Sequence, residues 1–133
     1  MIVVDTHVVV HLLTGGEAGA AAANVLRRDP AWAAPPILLS ELRNVLAGFV
    51  RREWMSLDDA LGMEGDARDV LGDRIADAPG PDVLRTALAS GLTAYDAEFV
   101  VLARAVQIPL VTADGAVLAA AADVAVAPES FAL

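Results

Sequence analysis

Of the 18 aspartates and glutamates in this chain, four stand where a fold would carry them inward. Asp5 directly follows the apolar run Ile2-Val3-Val4, and Asp114 follows Leu110-Val111-Thr112 in the same way. Asp96 heads the series Asp96, Phe99, Val100, Ala103 and Val106, whose spacing is one continuous helical face. Glu41 flanks the stripe Leu38, Leu42, Val45, Leu46 and Phe49, roughly 80° from its centre. Glu98 points away from the Asp96 face, and Glu53 only ends its helix. Two carboxylates about 4 Å apart repel by roughly 4 kcal/mol at an effective dielectric of 20. Four of them uncompensated would consume much of a domain's stability, typically about 5–15 kcal/mol. They must therefore pair with arginine, take up protons or hold hard cations. With no cysteine in the chain, oxygen-only ligation suits Mg²⁺ or Mn²⁺. Such a cluster can activate water and offset charge on a phosphodiester under in-line attack. Each position also has a purely structural role open to it. Asp5 can end a strand in a turn, Asp96 can complete a Thr-x-x-Asp cap with Thr93, Asp114 can cap a helix, and Glu41 can reach past the apolar stripe to water.

The elements that must position these residues follow from hydrophobic periodicity and breakers. A strand is expected at Ile2–Val4, a helix over Thr6–Leu13 broken by Gly15-Gly16, and a second helix over Glu17–Arg28. A short strand near Trp32–Ala34 leads into a helix over Ile37–Glu53. Ser56 caps a helix to about Leu71, and Arg74–Ala78 reads as a short strand. Asp82–Ser90 is helical and ends at Gly91, and Thr93 opens a helix to Gln107. Pro109–Thr112 is a buried strand, Gly115–Ala122 a helix and Val124–Ala127 a last strand. This alternation predicts an α/β fold, with a mostly parallel sheet covered on both faces. In such sheets ligands bind beyond the carboxyl ends of the strands, where Asp5 and Asp114 fall.

Composition narrows the chemistry further. At 133 residues, the chain is expected to form one domain over 1–133. All nine basic residues are arginine. The lack of lysine excludes a G-K-[ST] phosphate loop and Schiff-base chemistry, and the lack of cysteine excludes thiolate metal sites. A phosphoaspartate hydrolase built on Asp5 would need a D-x-D pair, and position 7 is His. A net charge of −9 argues against a general nucleic-acid coat, unless cations or a local arginine patch overcome the average. No stretch approaches the ~18 apolar residues of a membrane span, and the opening reads as a strand, so a cytoplasmic location is expected. The hydrophobic content of 56% suggests that another chain covers part of the surface. His7 and His11 have zinc-ligand spacing without an H-E-x-x-H motif. Arg27, Arg28, Arg43, Arg51 and Arg52 are candidates for a phosphate-gripping rim, and Trp32 and Trp54 for base stacking or anchoring a partner, with core packing the plainer expectation for both.

Four short runs carry a family resemblance. Val3-Val4-Asp5-Thr6, Ser40-Glu41-Leu42-Arg43-Asn44, Gly91-Leu92-Thr93-Ala94-Tyr95-Asp96-Ala97 and Val111-Thr112-Ala113-Asp114 resemble, in order and spacing, the motifs of the PIN-domain ribonucleases. The likeness is to their VapC toxin branch and extends over essentially the whole chain. It implies a PIN-like three-layer α/β/α sandwich, with Asp5, Glu41, Asp96 and Asp114 as catalytic, Mg²⁺- or Mn²⁺-binding carboxylates. Thr6 and Thr112 match supporting hydroxyl positions. The resemblance further implies hydrolysis of RNA (tRNA, rRNA or mRNA), a homodimer and silencing by a VapB-type antitoxin. Any contact with DNA would come only through that antitoxin. His7 departs from the commonest pattern, in which a small residue is frequent. The competing expectation is a catalytically inactive PIN-like scaffold that only binds a partner.

Overall fold

The structure, a computed structural model, describes the whole chain from Met1 to Leu133. β1 (Ile2–Val4) lies between β2 (Trp32–Ala33) and β3 (Leu110–Val111), and β4 (Ala125–Val126) extends the sheet beyond β3. All three pairings are parallel, with Val3 opposite both Ala33 and Leu110. The inner strands are wholly apolar and buried, as a sheet covered on both faces requires.

Eight helices connect and flank the sheet: α1 (Thr6–Thr14), α2 (Gly16–Arg28), α3 (Ile37–Arg51), α4 (Leu57–Leu71), α5 (Gly80–Ser90), α6 (Ala94–Val106), α7 (Gly115–Ala120) and α8 (Pro128–Phe131). α1 packs against α2, α3 and α4, while α6 lies on β1 and β3 with α5 against it. A core of 25 buried residues joins the layers, with Trp32, Phe99, Ile2, Leu38, Leu42, Leu71 and Leu110 among its largest members. No helix is long and apolar enough to cross a membrane.

Local chemistry explains the helix ends. Ser56 and Asp59 close a reciprocal capping box at the start of α4. Gly91 ends α5 with φ +77°, a conformation open to glycine at little cost. The strand expected over Arg74–Ala78 is reduced to one parallel bridge between Ala34 and Ile75. Only Ile75 of that segment has a bulky apolar side chain to turn inward, and Pro79 beyond it has no N–H to extend the ladder. The helix expected to reach Glu53 stops at Arg51, and Glu53 itself takes φ +61°. α8 is a single turn opened by Pro128, too short to leave a periodic signal, and it packs against α2.

Candidate functional site

Asp5 sits one residue past β1, and its N–H continues the ladder to the Val111 carbonyl at 3.0 Å. That bond draws the ends of β1 and β3 together and places Asp5 beside Thr112. The Asp5 side chain is 8% exposed and both of its oxygens are engaged. Oδ1 accepts the N–H of Thr6 at 2.7 Å, and Oδ2 accepts the hydroxyl of Thr112, also at 2.7 Å. The fully buried Thr112 hydroxyl accepts in turn from the Asp114 N–H at 3.1 Å. Thr112 thus ties the ends of two parallel strands to two acidic residues. That second bond escaped the sequence reading, although hydroxyl and N–H two residues apart are the spacing of an ST-turn.

Glu41 joins these residues from the first half of α3. Its Oε1 accepts the Thr6 hydroxyl at 2.7 Å, a contact spanning 35 residues of sequence. Its pKa is raised, first by burial and then by the charges of Asp5 and Asp96, against the opposing effects of the Thr6 hydrogen bond and of His7. Asp96, in the first turn of α6, is half-buried and its pKa is raised likewise. Burial leads again, the charges of Asp5 and Asp114 add to it, and the Thr93 hydrogen bond and His7 oppose. Thr93 does cap α6 by accepting the Asp96 N–H at 3.0 Å. Unlike Asp59 in α4, the Asp96 carboxylate does not reach back to complete a capping box, so the capping role leaves its charge unexplained. Asp114 is exposed and does cap α7, its Oδ1 accepting from Ala116 and Val117. Its structural role is therefore real, yet its charge is still felt at Asp96.

Four carboxylates drawn from β1, α3, α6 and the β3–α7 junction thus act on one another electrostatically. None of them belongs to an ion pair, because every salt bridge of the fold lies elsewhere. The donor set is oxygen only, as a hard divalent cation prefers. No three acidic or histidine side chains converge closely enough to close directly on one ion. Mg²⁺ binding suits that spacing, since this ion keeps several waters and takes one or two carboxylates. The residues therefore fit the group in donor type and in charge.

The other candidates resolve differently. The His7 and His11 rings are tilted with centroids 6.3 Å apart, and they gather no third ligand. The five arginines do not form one rim. Arg28 bonds the Leu133 carbonyl, Arg43 pairs with Glu64, and Arg52 lies over the Trp54 ring. Trp32 is wholly buried in the core, whereas Trp54 is 68% exposed.

A family model described as PIN domain matches residues 2–123. The chain belongs to the PIN domain family. PIN domains are generally nucleases that hydrolyse phosphodiesters and usually employ divalent metals. Among solved structures, the crystal structure of PAE2754 from Pyrobaculum aerophilum is similar, with a TM-score of 0.79 and 23% identity over 98% of this chain and 85% of that one. At that identity the likeness concerns the fold, and it agrees with the parallel PIN-like α/β architecture described above. A search of curated proteins found no match.

Proposed function

We propose that this PIN domain is an Mg²⁺- or Mn²⁺-dependent endoribonuclease and the toxin of a toxin–antitoxin pair. The observation that carries the catalytic half is the mutual charge of Asp5, Glu41, Asp96 and Asp114, which no arginine pairs and which His7 offsets only in part. A divalent cation held there would supply both an activated water and compensation for phosphodiester charge. The chain's own residues do the rest. Thr6 and Thr112 hold the Asp5 oxygens in fixed directions. Thr6 also orients Glu41 through Oε1 and leaves Oε2 free to accept a proton from the attacking water. In-line attack then leaves a 5′-phosphate and a 3′-hydroxyl.

The toxin half rests on the VapC-like motifs and on a surface suited to a protein partner. A groove of about 560 Å³ between α3 and α4 has a floor of Leu46, Ala47, Val50 and Ala60. Leu57 and Leu61 at its edge are each more than 60% exposed. An apolar segment of an antitoxin would cover side chains that water otherwise touches. The row Leu84 and Leu88 on α5, also exposed, offers a second copy of the chain a separate place to pack.

The test is cleavage of RNA by the purified chain. Activity should disappear with chelator and return with Mg²⁺, and Asp5→Asn should abolish it while the fold survives. Induced in cells, the parent should arrest growth and the Asn variant should not. Cleavage by Asp5→Asn at the parent rate would refute the mechanism. The competing reading, an idle scaffold, draws on the wide spacing of the carboxylates. Calorimetry distinguishes the two, because a scaffold would take up neither Mg²⁺ nor Mn²⁺.

A further inference from the structure

Only two cations occur after Arg74, namely Arg85 and Arg104, and both open onto one trough between α5, α6 and α7. Thr86 contributes a hydroxyl, the Ser90 hydroxyl being spent on the Thr86 carbonyl and the Leu92 N–H, while Ala89, Ala120 and Ala121 keep the depression open at about 370 Å³. A second depression of about 340 Å³, running along α5 and α6, again includes Arg85, Thr86 and Arg104. The two guanidiniums therefore stand where the hollows meet.

Both arginines are oriented and neither is exhausted. Asp123 grips Arg104 through Nε at 2.9 Å and Nη2 at 2.8 Å, fixing the plane of the fork and leaving Nη1 unspent. Arg85 spends only Nη1, on Asp82, in a pair whose side chains are 76% and 57% exposed. Surface pairs of this kind contribute about 0–1 kcal/mol, so an arriving phosphate can compete for them.

Position supplies the rest of the argument. The N-terminal ends of α6 and α7 carry Asp96 and Asp114, and the later residues Arg104, Ala120 and Ala121 of the same helices line the trough. Asp96 and Arg104 are eight residues apart, about 12 Å along the axis at 1.5 Å per residue.

We propose that the Arg85–Arg104 trough grips a backbone phosphate of single-stranded RNA to one side of the bond being cut. This rests on the ribonuclease reading above, and it explains how a chain of net charge −9 holds a polyanion at all. Arg85 and Arg104 position the strand and take no part in the chemistry.

The test compares the parent with Arg85→Gln/Arg104→Gln. Binding of a fluorescent ten-nucleotide RNA is read by anisotropy in chelator, which keeps the strand whole. The double variant should bind about tenfold more weakly, and its slope of log Kd against log salt should fall by about 0.7 for each phosphate no longer neutralised. Arg85→Lys/Arg104→Lys should restore the slope. In Mg²⁺, KM for the ten-mer should rise about tenfold with kcat unchanged, whereas a dinucleotide too short to reach the trough should be cut equally by both proteins. Thermal melting checks the fold, and should removal of the Asp123 pair unfold the chain, Arg85→Gln alone carries the test with a smaller effect. Equal Kd, slope and KM in parent and variant overturn the proposal. So does loss of binding to an acidic peptide with RNA binding intact, which would mark a protein-docking patch. A parent that binds RNA through the trough but cuts none would sink the ribonuclease reading alone. A parent that cuts RNA with a KM indifferent to both arginines would sink the trough alone.

Discussion

Burial and their neighbours' charge both disfavour the charged forms of Glu41 and Asp96, and this has a sign that pH can reveal. Each has a raised pKa in the folded chain, so the folded state retains its proton to higher pH than the unfolded state does. Stability is then full below the ordinary carboxylate range, falls as pH rises through the raised values, and stays lower above them. Removing either charge should relieve that penalty. Glu41→Gln keeps an oxygen for the Thr6 hydroxyl, and Asp96→Asn keeps the Thr93 cap, which uses only the backbone N–H. In chelator at neutral pH, both variants should melt a few degrees above the parent, and the gap should close as pH falls toward 4. Thermal melts across that range check it. A variant less stable than the parent at neutral pH would show that the carboxylates are not in conflict.

At the level of elements, the strand ends were the most legible part of the sequence. A wholly apolar triplet followed directly by Asp marks a buried strand and the residue at its end, which is why Asp5 could be located in advance, and Asp114, just past Leu110-Val111-Thr112, was placed by the same kind of run. Glu41 was harder, because its place depends on a hydroxyl 35 residues away and periodicity describes only its own helix. The segment around Ile75 looked like a strand because its local pattern resembles one, but a fifth strand needs backbone donors that the following Pro79 ends. The packing of α1 on α2 was also invisible in sequence. A methyl at Gly19 would sit 2.7 Å from the backbone carbonyl oxygen of His11, so only glycine permits the two helices to approach this closely. Gly19→Ala should cost about 1–3 kcal/mol through forced separation of the helices. Gly62→Ala provides the contrast, since a methyl there meets open space in the middle of α4. It should stabilise by about 0.5–1 kcal/mol through helix propensity. Denaturant midpoints of the two variants should move in opposite directions.

For the molecule as a whole, net charge sets the order of events. On the proposed ribonuclease reading, a surface at −9 would repel RNA, and cations would have to gather at the four carboxylates before a phosphodiester could be held there. The same ion should then act as a folding ligand. A species that binds only the folded chain stabilises it by about 2.7 kcal/mol at a hundred times its Kd. Mg²⁺ should accordingly raise the melting temperature by several degrees more than NaCl of equal ionic strength, which only screens charge. Asp96→Asn should invert the pattern, with a higher melting temperature in chelator and a smaller response to Mg²⁺. Asp66→Asn on the exposed side of α4 separates an ion site from diffuse screening, because screening would change its apo stability and Mg²⁺ response as in Asp96→Asn, whereas an ion site leaves its Mg²⁺ response like the parent's. An identical Mg²⁺ response in Asp96→Asn and the parent would place the cation somewhere other than among these four carboxylates.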